Sequence, residues 1–413
     1  QGRYAEAEPL YERSLAIREK ALGPEHPDVA QSLNNRARLL ENQGKYAEAE
    51  PLFERSQAIR EKALGPEHPD VAQSLNNRAG LLSSQDKYDD AEPLYERATE
   101  IWEKALGGDH PTVATVLNNR AGLLKKQGKF AEAEPLFTRA TEIWEKALGP
   151  EHPNVAAALN NRARLLESQG KYGQAEPLYE RAIGIWEMVH GSEHPLVATG
   201  LNNRAGLLKA QGKYAEAEPL YARSQAIKEK ALGPEHPSLA TTLNNRARLL
   251  HAQGKYAEAD PLYLRAIEIG ETKLGPDHSD LAVWLNNRAD LLRKQGAVVE
   301  HLFLRSSFYS TCPHSTCIFP LTPQGKYAEA EPLFERSQAI REKALGPEHP
   351  DVAQSLNNRA GLLKKQGKFA EAEPLFTRAT KIWEKALGPE HPNVAAALNN
   401  RARLLSNCSS ALC

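Results

Sequence analysis

Nine of the thirteen histidines recur at one place in a repeated sequence, where a metal site or a proton-transfer group is conceivable. They run from His26 and His68 to His391, and most of them follow Gly-Pro-Glu. Successive members belong to neighbouring repeats, which puts them about 10 Å apart at the usual spacing of packed helices. Because a shared metal needs bonds of about 2 Å, we predict that these histidines structure a loop and hold no metal.

The cysteines offer a second possible metal chemistry. Cys312 and Cys317 enclose His314, and Cys408 and Cys413 repeat the Cys-x4-Cys spacing. This spacing is atypical of zinc sites and roughly two repeats separate the pairs, so we expect no metal. All four cysteines lie outside the repeats, which argues against a disulfide scaffold and favours a reducing, cytoplasmic location.

Catalytic sequence motifs are absent from the chain. It has no His-Glu-x-x-His, no P-loop lysine motif and no glycine-rich nucleotide fingerprint, so we expect no catalytic residues, no cofactor and no enzyme. The formal net charge of -1 lacks the basic excess of a nucleic-acid binder. No apolar run approaches the ~18 residues of a membrane helix. The sequence starts at Gln1, midway through a repeat, and is expected to be a fragment.

The pentapeptide Leu-Asn-Asn-Arg-Ala marks a repeat of 42 residues. It begins at Leu33, Leu75, Leu117, Leu159, Leu201, Leu243, Leu285, Leu356 and Leu398. Each period predicts two helices, a first one from about Pro69 to Gln85 and a second one such as Lys45 to Leu64. Gly and Pro at positions 65 and 66 stop the second helix, and Pro69 suits the first turn of the next.

The second helix carries an apolar stripe that one helix pair cannot bury alone. Neighbouring pairs must therefore stack into a continuous core. The recurrent Trp102, Trp144, Trp186 and Trp383 are expected to pack between repeats. Pro51 lies inside the second helix, where we expect a mild bend or a late helix start.

The array is interrupted once, because 29 extra residues lie between Leu285 and Leu356. We predict a repeat array at 1–296, an irregular insertion with a decayed helix at 297–323, a continuation of the array at 324–406 and a non-repeat tail at 407–413. Residues 324–405 reproduce 43–82 joined to 125–166 with one difference, so a stretch of the array has been duplicated.

The repeat resembles the tetratricopeptide repeat of the kinesin light chain type. The resemblance rests on Leu-Asn-Asn-x-Ala, Gln-Gly-Lys-Tyr-Ala-Glu-Ala-Glu-Pro-Leu and Ala-Leu-Gly-Pro-Glu-His-Pro, and it covers nearly all of the chain except 297–323 and the tail. It implies an all-α fold of tandem helix-turn-helix repeats stacked as a right-handed superhelical solenoid, an alpha-alpha superhelix. It also implies that the first helices line a concave groove that binds peptides, including acidic ones bearing tryptophan in kinesin light chains.

The motif arginine, the Arg of Leu-Asn-Asn-Arg-Ala, departs from the family, which usually has Leu there. Arg78 falls in the middle of the apolar stripe, where a guanidinium needs a partner. We predict a repeated buried or half-buried ion pair with the acid that precedes the helix proline, such as Arg36 with Glu50. The alternative is that the arginine extends to solvent with its stem on the apolar face.

The polar face of the first helix is predicted to line the groove. After Pro69 this face contains Asn76, Asn77, Gly80, Ser83 and Ser84. Over nine repeats the same five positions hold three acids, Glu41, Glu167 and Asp290, and eleven cations. The cations are Arg38, Arg164, Arg248, Arg293, Arg403, Lys125, Lys126, Lys209, Lys294, Lys364 and Lys365. Such a wall would attract anionic ligands, so we predict an acidic partner.

The paired asparagines of this face could hold a ligand backbone whatever its sequence. The alternative is that they orient neighbouring helices and that a solvated face tolerates the charges. The predicted partner-binding residues are Asn34, Asn35, Arg38, Asn76, Asn77, Asn118, Asn119, Lys125, Lys126, Asn160, Asn161, Arg164, Asn202, Asn203, Lys209, Asn244, Asn245, Arg248, Asn286, Asn287 and Arg293.

These observations leave competing functions. The first is a protein-protein interaction scaffold that binds acidic peptides or cargo and adaptor proteins in a basic groove. The second is the ligand-sensing repeat arm of a larger nucleotide-binding switch protein, since such arrays also occur appended to P-loop ATPases. An enzyme would need a cleft with perturbed acid-base residues, and the sequence shows none.

Overall fold

The computed structural model describes residues 4–306 and 323–411, and these residues form α-helices and no strand. The chain divides into two compact units, Gln1–His236 and Pro237–Cys413. Consecutive helices pack against each other in both units, which confirms the expected all-α array of stacked helix pairs.

The first unit contains α1 (Tyr4–Leu22), α2 (Pro27–Asn42), α3 (Tyr46–Leu64), α4 (Pro69–Ser84), α5 (Tyr88–Leu106), α6 (Pro111–Lys126), α7 (Phe130–Leu148), α8 (Pro153–Ser168), α9 (Tyr172–His190), α10 (Pro195–Ala210) and α11 (Tyr214–Leu232). The second unit contains α12 (Pro237–Ala252), α13 (Tyr256–Lys273), α14 (Ser279–Ser306), α15 (Pro323–Leu345), α16 (Pro350–Lys365), α17 (Phe369–Leu387) and α18 (Pro392–Ala411). Even-numbered helices are the first helices of the repeat and odd-numbered ones the second.

Eight of the first helices begin with a histidine cap. The Nδ1 atom of His68 accepts a hydrogen bond from the backbone N–H of Asp70 at 3.1 Å, and Pro69 occupies the first helical turn, where no N–H donor is needed. The same cap occurs at His26, His110, His152, His194, His278, His349 and His391. The predicted loop role of these histidines is confirmed.

The second helix ends and begins at glycine turns. Gly65 follows Leu64 with φ of 89°, a conformation that suits glycine. Lys45 closes the preceding turn by donating its N–H to the carbonyl of Leu40 at 2.9 Å, and the helix starts directly at Tyr46. Of the two expected effects of Pro51, the late start is therefore wrong, because the helix begins at Tyr46, five residues before the proline. The mild bend stays a prediction.

A continuous apolar cluster extends through the first unit from Val71 to Ile227. Trp102, Trp144 and Trp186 belong to it and are almost fully buried. Trp383 occupies the equivalent place in a cluster of the second unit. The predicted packing role of the tryptophans is confirmed.

The interruption leaves the stacking interface of the second unit intact. Gly296 is helical, whereas the equivalent Gly254 has φ of 76°, so α14 continues past the usual turn to Ser306. The ring of Tyr327 from α15 lies where a Cβ atom on Gly296 would be, only 2.5 Å away. The second helix of this repeat is therefore α15, supplied by the duplicated segment.

The register of this junction matches that of an uninterrupted repeat. Ser337 Oγ donates to the carbonyl of Ala282 at 2.7 Å, as Ser56 Oγ donates to the carbonyl of Ala30 at 2.8 Å. Residues 297–306 of the expected insertion are thus helical, and 307–322 lie outside the described residues. The expected tail likewise begins inside α18, which ends at Ala411.

Candidate functional site

The motif arginines are half-buried, and most of them pair with the second helix of the preceding repeat. Arg36 Nη2 lies 2.5 Å from Glu12 Oε1, and Arg78 Nη2 lies 2.5 Å from Glu54 Oε1. The expected pair of Arg36 with Glu50 is wrong. Helical periodicity predicts that Arg36 lies on the apolar face of α2. It does not predict whether Arg36 contacts α1 or α3, the two helices on either side.

Glu50 instead binds the next hairpin. Its carboxylate accepts hydrogen bonds from Gln85 at 3.2 Å and from Lys87 at 3.0 Å. At two repeats in which the usual glutamate partner is missing, those of Arg288 and Arg401, the motif arginine contacts the acid before the proline of the preceding helix. Arg288 Nε donates to Asp260 at 2.8 Å in this way. In these repeats the acid before the proline pairs with the motif arginine of the following repeat, whereas the sequence predicted a pair with the arginine of its own repeat.

The paired asparagines of the first helices bond to each other across neighbouring repeats. Asn77 Nδ2 donates to Asn34 Oδ1 at 2.8 Å, and Asn119 Nδ2 donates to Asn76 Oδ1 at 3.0 Å. Equivalent bonds join Asn161 to Asn118, Asn203 to Asn160, Asn287 to Asn244, Asn358 to Asn286 and Asn400 to Asn357. Asparagine therefore orients neighbouring helices, and only its remaining donors and acceptors are available to a ligand.

A polar pocket of about 560 Å³ opens in the second unit between α14, α16, α17 and α18. We call it the C-terminal pocket, and its lining is Arg293, Asn357, Asn358, Gly361, Lys364, Lys365, Phe369, Phe376, Asn400 and Arg403. Four of these residues are cationic and none is acidic. Phe369 and Phe376 were not among the predicted site residues. An aromatic residue recurs at the start of the second helix and again seven residues later, and this recurrence could have identified both positions.

The cations of the C-terminal pocket repel one another. Burial lowers the pKa of Lys364, and the charges of Arg403 and Lys365 lower it further. Arg293 is partly compensated, because its Nε donates to Asp290 at 3.0 Å. A bound anion would relieve the remaining repulsion and restore the pKa of Lys364.

The same cations occur in the first unit as Lys125, Lys126 and Arg164, but their surroundings differ. Burial lowers the pKa of Lys125 to about 8, with Arg164 adding to the shift and Glu167 opposing it. Lys126 Nζ donates to the carbonyl of Ser83 at 2.7 Å. The charge counted along the sequence is therefore partly neutralised in the first unit.

Several substitutions distinguish the two settings. Ser406 stands in the second unit where the first has Glu167, and Gly296 stands where it has Asp86. On α14, Asp290, Arg293 and Lys294 stand where the first unit has Gly80, Ser83 and Ser84. Asp86 matters because its charge stabilises the ammonium of Lys126. All of these differences except Asp290, which is bonded to Arg293, make the C-terminal pocket more positive than the equivalent surface of the first unit.

The other predicted cations have mixed surroundings. Arg38 lines a pocket of the first unit together with Glu41, and Lys209 is half-buried, whereas Arg248 is exposed. No cluster of three or more potential metal ligands occurs in residues 4–306 and 323–411. Cys312, His314 and Cys317 lie outside these ranges. No described helix is long and apolar enough to cross a membrane.

Stacked two-helix hairpins with polar pockets on their first helices define a helical-repeat protein. The chain belongs to the tetratricopeptide-repeat family, whose profile matches residues 1–62, 28–104, 70–143, 112–188, 156–230, 196–272, 238–297, 321–382 and 351–407. Such repeats generally serve as protein-interaction scaffolds and are typically not enzymes. No curated protein matches the sequence.

Several solved structures are similar to this chain. A putative kinesin light chain with nearly identical repeats from Podosopora anserina is 28% identical, with a TM-score of 0.43, over 50% of this chain and 98% of that one. BtubC (BKLC) from P. vanneervenii is 24% identical, with a TM-score of 0.46, over 56% and 91%. The apo quorum sensor NprR from B. thuringiensis is 14% identical, with a TM-score of 0.54, over 92% and 93%, and shares the fold alone.

Proposed function

We propose that this chain is a protein-interaction scaffold that binds an acidic peptide segment in the C-terminal pocket. The observation that carries the proposal is the composition of the pocket, in which Lys364, Lys365, Arg403 and Arg293 surround about 560 Å³ without an acidic lining residue. The membership of the tetratricopeptide-repeat family supports a binding role.

The pocket combines the three features that an acidic peptide needs. Its cations offer charge-assisted hydrogen bonds to carboxylates, which are stronger than neutral ones. Asn357, Asn358 and Asn400 provide amide groups beside them for the peptide backbone. The partly buried ring of Phe369 adds an apolar surface for the stems of the ligand side chains.

The test exploits the duplication. The affinity of a short fluorescein-labelled peptide rich in Asp and Glu is measured by fluorescence anisotropy for the wild type, for the variant Lys364→Ser/Lys365→Ser and for Lys125→Ser/Lys126→Ser. We expect the first variant to bind at least about tenfold more weakly, since two charge-assisted contacts are lost. The second variant should change affinity by less than about twofold.

The two variants remove the same residue types from nearly identical helices, which makes the second variant the control for the first. Circular dichroism and the unfolding temperature of both variants show whether either substitution disturbs the fold. A peptide in which Asn and Gln replace the acids should not bind. Equal losses in the two variants, or equal binding of the neutral peptide, would remove the C-terminal pocket as the acidic-peptide site.

A further inference from the structure

A second polar pocket lies in the first unit and has a different chemistry. It has a volume of about 460 Å³ and is enclosed by α2, α4, α5 and α6. We call it the Glu41 pocket, and its lining is Arg38, Glu41, Gln73, Asn76, Asn77, Gly80, Ser84, Tyr95, Thr115 and Asn119. One cation and one acid line it, so it lacks the positive excess of the C-terminal pocket.

The carboxylate of Glu41 is half-buried and lacks a partner. Burial raises its pKa, and the charge of Arg38 on the same helix opposes the shift. No side chain or backbone N–H within residues 4–306 and 323–411 donates a hydrogen bond to this carboxylate or forms an ion pair with it. Removing part of the water around a carboxylate without supplying a donor is unfavourable, so a ligand that brings a donor gains part of that free energy.

A related glutamate within the same unit shows what Glu41 is missing. Glu167 occupies the equivalent position three repeats later, and Tyr179 Oη donates a hydrogen bond to its Oε2 atom at 2.8 Å. The residue equivalent to Tyr179 beside Glu41 is Phe53, which is fully buried and has no hydroxyl group. Within the described residues, the carboxylate of Glu167 thus has an internal hydrogen-bond donor and that of Glu41 has none.

Glycine keeps the space beside Glu41 open. A Cβ atom on Gly80 would lie 3.7 Å from Tyr95 Oη, with no other atom within 4 Å. In the related site a Cβ atom on Gly206 would lie 3.9 Å from Glu167 Oε1, so this position faces the carboxylate. Two repeats later, Lys125 is equivalent to Glu41 and Arg164 is equivalent to Gly80. The long side chain of Arg164 would fill the space that Gly80 leaves open.

We propose that the Glu41 pocket binds a cationic side chain of a peptide ligand, a guanidinium or ammonium group whose N–H donors reach the Glu41 carboxylate. The amide oxygens of Gln73 and Asn119 and the hydroxyl of Thr115 line the same pocket and provide further acceptors. This site goes beyond the proposed acidic-peptide function, and its charge preference is the opposite one.

Isothermal titration calorimetry with two neutral-backbone probes tests the proposal. The probes are the blocked peptides acetyl-Gly-Gly-Arg-Gly-Gly-amide and its lysine counterpart, and acetyl-Gly-Gly-citrulline-Gly-Gly-amide is the uncharged control. We expect the wild type to bind at least one cationic probe and to bind the citrulline peptide at least about tenfold more weakly. The arginine and lysine arms distinguish a guanidinium from an ammonium site.

Three variants locate the binding. Glu41→Gln should weaken the cationic probe at least about tenfold, whereas Glu167→Gln should leave it unchanged. Phe53→Tyr should also weaken it, because the new hydroxyl would hydrogen-bond Glu41 as Tyr179 does Glu167. No binding of either cationic probe to the wild type, or equal affinity in the wild type and Glu41→Gln, would overturn the proposal. So would binding of an aspartate probe that Arg38→Gln abolishes.

Discussion

Individual side chains in the stacking interface compensate for one another in size. The indole ring of Trp186 on α9 packs against Gly200 on α10. A Cβ atom on that glycine would lie 3.0 Å from the indole ring. At the equivalent interface of the second unit the order is reversed, with Gly270 opposite Trp284. At the interface of α3 and α4 the equivalent residues are Arg60 and Ser74, and Arg60 Nη1 donates a hydrogen bond to Ser74 Oγ at 2.9 Å. Each interface therefore fits its own pair.

This pairing predicts the outcome of a swap. Gly270→Trp alone should destabilise the fold by about 1–3 kcal/mol, because two indoles would compete for one space. Adding Trp284→Gly recreates the Trp186 and Gly200 arrangement and should recover most of the loss. Urea unfolding of both single variants and the double variant measures the coupling. Additive losses would contradict the compensation.

Helices in this array are exchangeable parts, as the interruption shows. The α15 helix takes the place of the second helix that should follow α14, and it brings its ion pairs with it. Lys343 bonds Asp277 there as Lys104 bonds Glu67 in the first unit. The stability of the helix pair depends on its packed faces and on their register. The pair tolerates the 29 additional residues that separate its two helices in the sequence.

Deleting residues 297–325 should therefore preserve the fold. The deletion joins Gly296 to Lys326 and restores the 42-residue period, so Gly296 can return to the left-handed turn of Gly254. We expect the free energy of unfolding to stay the same or to rise by up to about 3 kcal/mol, since the chain that connects the two helices becomes 29 residues shorter. Circular dichroism and urea unfolding report the result, and a clear loss of stability would mean that the detour itself supports the stack.

The periodic pattern of the whole chain predicted its fold well, because propensity, punctuation and apolar spacing agree in every repeat. Helix α4 begins at the predicted Pro69 and ends one residue before the predicted Gln85. The Arg36 and Glu50 pair failed because periodicity fixes the face of one helix but not the neighbour that it meets. That choice needs the packing geometry.

The site was only partly predictable for a similar reason. Counting charges found the cations of the first helices, including Lys125 and Lys364, but a count treats them as equal. Their settings differ because Glu167 lies beside Lys125, while Lys364 lies beside Arg403 without such an acid. The net charge of the C-terminal pocket depends on side chains from three helices, α14, α16 and α18. Because these side chains are far apart in the sequence, a count of charges does not show that they lie together.

The central claim is that local charge, and not the motif itself, makes an acidic-peptide site. Calorimetric stoichiometry with the acidic peptide tests it most directly in the variant Ser83→Arg/Asp86→Gly/Glu167→Ser, which removes the two acids beside Lys125 and Lys126 and adds the arginine that the C-terminal pocket has at this position. We predict one peptide per chain for the wild type and two for the variant, the second being lost again on Lys125→Ser/Lys126→Ser. A variant that still binds one peptide, with unchanged affinity, would contradict the account.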